Sequence, residues 1–311
     1  MSDSSINQPQ FQDADKAREY LEHQVWPAGP VCPHCGSVKV PYELKGKSNR
    51  PGLYKCADCR EPFTVTVGSI FERSKIPLNK WLLAVFLLCS SKKGMSSHQL
   101  HRMLGVTYKT AWFMTHRIRE AMGATGGLMG SGGEPVEVDE TYWGTSKTKP
   151  KGARGYDHKM KIVSLVERHG VKKTVHVPNV TAATLRPILK AQISEKARLM
   201  TDEASVYTKV GREFAEHGVV THSAGEYARG DITTNSVESS FALLKRGLYG
   251  TFHHVGEQHL QRYANEFDFR WNHRTKLGFT DTMRADSVLR STAGKRLTYR
   301  RTDGQAGSLN P

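Results

Sequence analysis

Two pairs of cysteines, Cys32-Pro-His-Cys35 and Cys56-Ala-Asp-Cys59, are separated by 20 residues, and no other feature of the chain limits its folding so strongly. A C-x-x-C knuckle turns tightly enough to aim both sulfurs at one point, and two knuckles close a tetrahedral thiolate site of the kind Zn2+ occupies. A redox dithiol needs one such pair, and disulfides do not persist in a reducing cytoplasm. Tyr54 and Phe63-Thr-Val-Thr-Val67 supply strand-like flanks, so a zinc ribbon of two hairpins is predicted over residues 25–70, with one structural zinc on Cys32, Cys35, Cys56 and Cys59. His34 lies inside the first knuckle and reads as an exposed neighbour, not a fifth ligand.

A ribbon accounts for a small part of 311 residues, so further modules are required. The segment 1–24 has an acidic tilt and no apolar stretch of the kind that starts a secretory signal. The longest apolar run, Trp81 to Cys89, is far short of the roughly 20 residues that cross a bilayer. A cytoplasmic, nucleoid-associated protein is expected. Cys89 shares a helical stripe with Leu78, Trp81, Leu82, Val85 and Phe86 and reads as core. A short helix from Ser96 to Leu104 stops at Gly105, and a longer one opens at Thr107. Residues 71–123 are therefore predicted to hold a helix-turn-helix. In the second of these helices Ala111, Met114, Ile118 and Ala121 line one side, leaving Lys109, Trp112, His116 and Arg119 to enter a major groove. The competing reading is a three-helix bundle that serves only as a linker. Glycines between Gly123 and Gly133 break all periodicity, and 124–134 reads as a flexible linker.

The formal net charge of +15 sets up a field that attracts polyanions, nucleic acid above all. Its distribution adds to this. Lys147, Lys149, Lys151, Arg154, Lys159 and Lys161 crowd one stretch; Lys245, Arg246, Arg262, Arg270, Arg274 and Lys276 make a second surplus. Double-stranded DNA is the expected partner.

After the linker the periodicity becomes that of strands. Pro135–Trp143, Met160–Glu167 and Val171–Val177 are predicted as three antiparallel strands. A helix from Thr181 to Ile193 follows, then a strand Ala197–Thr201 ending on Asp202, a helix Glu203–His217, a strand Gly218–His222 and a helix from Asn235 through Leu248. That order is the order of a ribonuclease H-like fold with a mixed five-stranded sheet, predicted over residues 135–285. The fold class is thus multidomain, α+β and α/β: zinc ribbon, helix-turn-helix module, ribonuclease H-like domain. A last helix from Gln258 to His273 should pack Tyr263, Phe267 and Trp271 on the sheet and turn Arg270 and Arg274 outward. The basic tail 286–311 is expected to be disordered.

In that fold Asp139, Asp202 and Glu238, with 62 and 35 residues in the two gaps, converge on one edge of the sheet. Clustered carboxylates repel, and cations justify the cluster. Hard oxygen ligands suit two Mg2+ or Mn2+ ions, which support in-line phosphoryl transfer. Other readings stand beside each acid. Glu137 shares a strand face with Asp139 and Glu140 lies on the other, and any of the three can be a surface acid. Asp202 is also placed to cap the next helix. Asn235-Ser-Val-Glu238 is close to a capping box, in which the glutamate only ties back to the helix start. Lys245, seven residues on, shares the face of Glu238 and is expected with Arg246 to meet DNA phosphate. Asn235, Asp231 and His222 are weaker polar candidates.

Val136-Glu-Val-Asp-Glu-Thr-Tyr-Trp-Gly144, Thr201-Asp-Glu-Ala204, Thr234-Asn-Ser-Val-Glu238 with Lys245, and Asn265-Glu-Phe-Asp-Phe-Arg-Trp-Asn-His-Arg274 together resemble the zinc-ribbon branch of bacterial insertion-sequence DDE transposases. The resemblance covers roughly residues 25 to 285. It implies metal-dependent hydrolysis at transposon ends, binding of terminal inverted repeats and transfer of the freed 3' hydroxyl into target DNA. An assembly of two or more subunits on DNA is the matching expectation, because two ends are handled together. Two rival functions share much of this sequence: a catalytically silent DNA-binding regulator, and a ribonuclease H-type nuclease that cuts without joining. The presence of all three acids counts against the first, and the ribbon with its helical module counts against the second.

Overall fold

Strict alternation along Pro135–Trp143 sends odd residues to one face of a sheet and even residues to the other, and this strand organises the larger part of the molecule. The computed structural model describes residues 5–123, 126–147, 152 and 155–298. They divide into two units: residues 5–90, 97–121 and 280–298 in one, and 91–96 with the described part of 122–279 in the other.

The first unit is helical around a ribbon. Helices α1 (Pro9–Gln12) and α2 (Ala14–Val25) precede the ribbon, whose strands β1 (Tyr42–Glu43), β2 (Tyr54–Lys55) and β3 (Pro62–Phe63) form an antiparallel sheet. Then come α3 (Leu78–Ser90), α4 (Ser97–Leu104) and α5 (Tyr108–Ala121). The acidic N-terminal segment is thus structured from residue 5, because Phe11, Ala17 and Leu21 find burial as α1 and α2 pack on α3. The strand expected over Phe63–Val67 ends at Phe63. Thr64 and Thr66 bond through their hydroxyls, 2.9 Å apart, and the Val67 N–H returns to the Thr64 carbonyl; local threonine bonds here win over a ladder. Gly105 ends α4 in the left-handed region at φ 61°, with the Val106 N–H on the His101 carbonyl, and the Thr107 hydroxyl accepts the Thr110 N–H at the start of α5. These are a glycine C-cap and a threonine N-cap. Cys89 is buried within α3.

The second unit contains β4 (Pro135–Trp143), β5 (Met160–Glu167), β6 (Lys172–Val177), α6 (Ala182–Gln192), β7 (Arg198–Asp202), α7 (Ser205–Val210), β8 (Glu216–Val220), the short strands β9 (Ala228–Arg229) and β10 (Ile232–Thr233), α8 (Asn235–Gly247) and α9 (Leu260–Asn272). Its main sheet has the order β6-β5-β4-β7-β8, antiparallel from β6 to β4 and parallel from β4 to β8. The helix predicted over Glu203–His217 is limited to α7: the chain turns at Gly211, and β8 starts earlier than expected to complete the sheet edge.

Val136 and Val138 join the core under α6 and α7, with Leu185, Leu189 and Tyr207. Trp143 joins the opposite core with Phe241, Leu244 and Phe267 of α8 and α9. Tyr263, Phe267 and Trp271 pack there as predicted. Arg270 does not turn outward: its side chain is 11% exposed, held by Glu266 and the Ser91 carbonyl. Arg274 lies over the Trp271 ring, 4.8 Å from its centroid. Close packing also explains two glycines. A side chain at Gly247 would stand 2.0 Å from Phe267, and one at Gly130 2.4 Å from Ala197.

The expected boundaries shift accordingly. Part of the predicted linker is ordered, with Met129 buried and bridged to Ile193. Helix α10 (Asp281–Arg290) crosses the boundary expected at 285 and belongs to the first unit, where Ala285, Val288 and Leu289 are buried. Residues 291–298 stay attached there, Ser291 and Lys295 donating to the Ala121 carbonyl and Ala293 bridging Ser69. Apolar residues within the basic composition decide this. The predicted disorder of 299–311 falls outside the described residues, as do Lys149, Lys151 and Arg154 of the first basic run.

One contact joins strand to helix. Glu137 is fully buried on the odd face of β4, and its Oε2 accepts the Ser236 and Val237 N–H groups at 2.7 and 3.0 Å, while Arg168 Nη2 donates to Oε1 at 3.0 Å. The first turn of α8 is thereby satisfied by an acid two residues from Asp139. Truncation as Glu137→Ala strands a guanidinium and two N–H groups, so a loss of about 3–5 kcal/mol is expected. Denaturant unfolding of the variant checks this; stability within 1 kcal/mol of wild type, far below the ~3 kcal/mol floor, would remove the clamp.

Candidate active site and metal centre

The odd face of β4 that carries Glu137 also carries Asp139. In the parallel pairing of β4 with β7, Glu137 stands opposite Met200, which brings Asp139 level with Asp202 at the end of β7. Glu238 lies in the first turn of α8, just beyond the residues that Glu137 holds. Sheet register and one helix N-terminus thus bring three acids, distant in sequence, to one region. The carboxyl of Asp139 is pushed up to about 7, by burial first and then by the charges of Glu140, Asp202 and Glu238, against a bond from the Glu140 N–H.

The capping readings lose ground on geometry. Asp202 Oδ1 accepts the Ala204 N–H at 3.1 Å, but Ala204 itself is the N-cap of α7 and has no side-chain cap. At α8 the N-cap is Thr234, and the first-turn N–H groups go to Glu137, not to Glu238. Glu238 Oε1 accepts the Thr234 hydroxyl at 2.8 Å, and His222 Nε2 stands 3.4 Å away. Its side chain is 43% exposed and open to a ligand. The loop bearing His222 is fixed by Glu203, which accepts the His222 and Ser223 N–H groups and is held down to about 2 by those bonds.

Glu140 points to the opposite face of β4 and accepts the Tyr207 hydroxyl at 2.7 Å; burial raises its carboxyl, and the charge of Asp202 adds to this. Neither Glu140 nor Glu137 is a surface acid. Asp231 is drawn away from the cluster: it pairs with Arg198 at 2.6 Å, and Arg198 opens β7 while Asp202 closes it, about 13 Å along a strand. Asn235 is exposed and lines a groove with Arg168 and Lys276. Lys245 is half-buried and Arg246 exposed on α8. Glu137, Arg168, Thr234 and Tyr207 were missed as supporting residues. An acid two places from Asp139 on a core-facing strand was the available signal for Glu137; the other three have none.

In the first unit, Cys32, Cys35, Cys56 and Cys59 place their sulfurs within 4.8 Å of one another, and among the described residues they are the group of metal-ligating side chains drawn that tightly. Trp26, Tyr54 and Phe63 pack beside them with ring centroids 5.8–5.9 Å apart. His34 is exposed and outside the group.

The four polar residues expected on the outer face of α5 divide. Lys109 is exposed and Trp112 half-buried, and both line a groove of about 430 Å³ with Arg73 and Lys75. His116 and Arg119 are each 1% exposed. They are buried because α5 packs against α3, α4 and α10, so a helix whose polar side looked free is enclosed nearly all round. Neither can enter a DNA groove from this position.

Comparison with known proteins adds two family matches. Residues 130–272 match an ISXO2-like transposase domain, and residues 12–61 match a transposase zinc-ribbon domain. A Halobacterium salinarum protein, named as an uncharacterized protein in transposable element ISH50, is 27% identical over 277 residues, 84% of this chain and 91% of that protein. Among the described residues, no helix is long and apolar enough to cross a membrane.

Two outcomes follow from the site geometry. The purified protein should hold one zinc per chain, and Cys56→Ser should lose it together with the ordered ribbon; metal analysis of a soluble preparation without zinc would contradict this. The raised Asp139 carboxyl sets a pH dependence. Unfolded, the group titrates near 4; folded, near 7, so its contribution to stability is fully present below about 4 and is lost as pH rises through 7. Thermal unfolding in magnesium-free buffer should show a declining melting temperature between pH 5 and 8, and Asp139→Asn should flatten it. An unchanged slope in that variant would assign the titration elsewhere.

Proposed function

Because this chain belongs to the zinc-ribbon transposases of the ISXO2-like type, we propose that it is a DDE transposase of an insertion sequence. In this reading it binds terminal inverted repeats, hydrolyses the transposon ends and joins their 3' hydroxyls to target DNA. The observation that carries the proposal is the sheet register that sets Asp139 level with Asp202, with Glu238 in the first turn of the helix clamped to the same strand by Glu137. The Asp139 carboxyl, raised to about 7 by burial first and then by the charges of Glu140, Asp202 and Glu238, suits a site that takes a cation. The strand order β6-β5-β4-β7-β8, with β5 the antiparallel member between β6 and β4, supports a ribonuclease H-like reading of this unit.

Asp139, Asp202 and Glu238 would hold two Mg2+ or Mn2+ ions, a donor set of hard oxygens that suits either metal. Such ions supply charge neutralisation at the phosphorus and help to generate the attacking oxygen. The chain's own residues do the rest. Glu137 fixes the register between the strand of Asp139 and the helix of Glu238. Thr234 orients the Glu238 carboxylate, and His222 stands against the same oxygen. Lys245, two turns along α8 from Glu238, is placed to neutralise a DNA phosphate, with Arg246 beside it.

Sequence-specific docking falls to the ribbon and to α4–α5, which we read as a helix-turn-helix module. The contact set is revised by the burial of His116 and Arg119: Lys109 and Trp112 remain, with Arg73 and Lys75 on the same groove. Two or more subunits act on one pair of ends.

A labelled 3' end and a supercoiled target separate the alternatives, since only a transposase moves the label onto the target. Glu238→Gln should retain DNA binding and thermal stability but lose several kcal/mol of transition-state stabilisation, more than a hundredfold in end cleavage at about 1.4 kcal/mol per tenfold. A variant that releases ends at the normal rate would refute the assignment. Wild-type cleavage without transfer would favour a nuclease, and specific binding with neither would favour a silent regulator.

A further inference from the structure

The β5–β6 turn, the first turn of α8 and the chain that follows α9 enclose a groove of about 390 Å³, lined by Arg168, His169, Asn235, Ser239, Arg274 and Lys276 among others. None of the three catalytic candidates lines it. Its cations are set in place by the fold. Arg168 is anchored by Glu137 and by the Asp231 carbonyl. Arg274 donates Nη1 to the Trp271 carbonyl at 2.7 Å and lies over the indole. A guanidinium carries five N–H donors, so one anchored through a single N–H keeps others to offer. Lys276 and His169 are exposed at the rim, and His169 holds a left-handed backbone at φ 64°, a conformation rare outside glycine. The acid that lines the groove, Glu167, turns its Oε1 onto the Gly130 N–H at 2.8 Å. The first-turn N–H groups of α8 are taken by Glu137, so the positive character comes from side chains and not from the helix end.

The position of the groove identifies its ligand. Asn235 and Ser239 are one turn apart and share a face of α8, and Glu238 lies next to that face, about 60–100° round the helix. A DNA strand with a phosphate at Glu238 therefore has the groove beside it. One helical turn is ~5.4 Å, and phosphates on one strand advance ~3.4 Å along the duplex axis.

We propose that this groove is a phosphodiester subsite that seats the DNA backbone about one to two nucleotides from the bond cut at Asp139, Asp202 and Glu238, through Arg274, Lys276 and His169. The location relative to the cut rests on the transposase reading above, whereas binding of the backbone in the groove does not. Such a subsite holds the end in register without reading its bases.

The test uses the full chain and a duplex carrying the terminal repeat that flanks its own gene. Fluorescence anisotropy across a salt series reads the groove, and cleavage of the same duplex in Mg2+ reads the acids. Lys276→Ala and Arg274→Gln should each weaken binding about three- to tenfold and lower the salt slope by about one. A neutral methylphosphonate at one position, about one or two nucleotides from the cut, should weaken wild type by a similar factor and leave Lys276→Ala unaffected. Wild-type affinity and salt slope in both variants would overturn the subsite even if cleavage proceeds normally. Loss of binding in the variants alongside a wild-type protein that never cleaves would keep the groove and sink the catalytic reading instead. Displacement of the duplex from wild type by polyglutamate at equal charge, with no such displacement from the variants, would assign the groove to an acidic protein and overturn the DNA proposal.

Discussion

The buried carboxylate of Glu137 is the contact on which the arrangement of the second unit depends. An ionised acid with no exposed surface is costly unless every oxygen finds a donor. Here the donors come from two places: the opening turn of α8 and the guanidinium of Arg168. The strand that carries Asp139 and the helix that carries Glu238 are therefore tied at one point. Two residues along β4 from that tie is one acid of the cluster, and one residue along α8 from it is another. The placing of these acids in this unit is inherited from a structural ion pair beside them.

A second polar network holds the β6 edge of the same sheet face. Lys172 and Asp268 are both buried, 3.3 Å apart, and Asp268 also accepts the Thr174 N–H and hydroxyl at 2.6 Å while the Ser164 hydroxyl bonds to Thr174. Ser164 pairs with Asp139 across the antiparallel ladder. Helix α9 is thus fixed to the same three strands that present the acid. Buried charges of this kind fix register more than they add stability, and register is what the acid cluster needs.

Much of this was legible in the residues. Alternation predicted β4 and β5 with the bounds they have, and the two knuckles predicted four sulfurs that do meet. The motif around Asp139 and Asp202 pointed to neighbouring strands, and the register sets the two level. What failed did so for identifiable reasons. His116 and Arg119 occupy the polar side of an amphipathic pattern, yet a helix in contact with three others keeps little solvent side beyond its first turns. Asp231 was close in sequence to Glu238, but Arg198 draws it to the opposite end of β7. Glycine and charge alone predict a linker and a tail, and the few apolar residues within them, Met129 and Val288 among them, secure the described residues 126–134 and 286–298.

The sequence by itself determined the local chemistry: thiolate pairs at fixed spacing, strand and helix periods, and glycine and threonine caps. These are properties of neighbours along the chain, where spacing sets geometry. Only the tertiary structure decided which acids are props and which face the cluster, separating Glu137 from Asp139 although both share one face of one strand. It also decided which basic residues remain accessible, turning Arg270 inward to Glu266 while leaving Lys276 at a groove. The physical reason is that burial and pairing depend on partners 100 residues or more away, as between Glu137 and Val237 or Arg270 and Ser91, and no local pattern encodes which partner arrives.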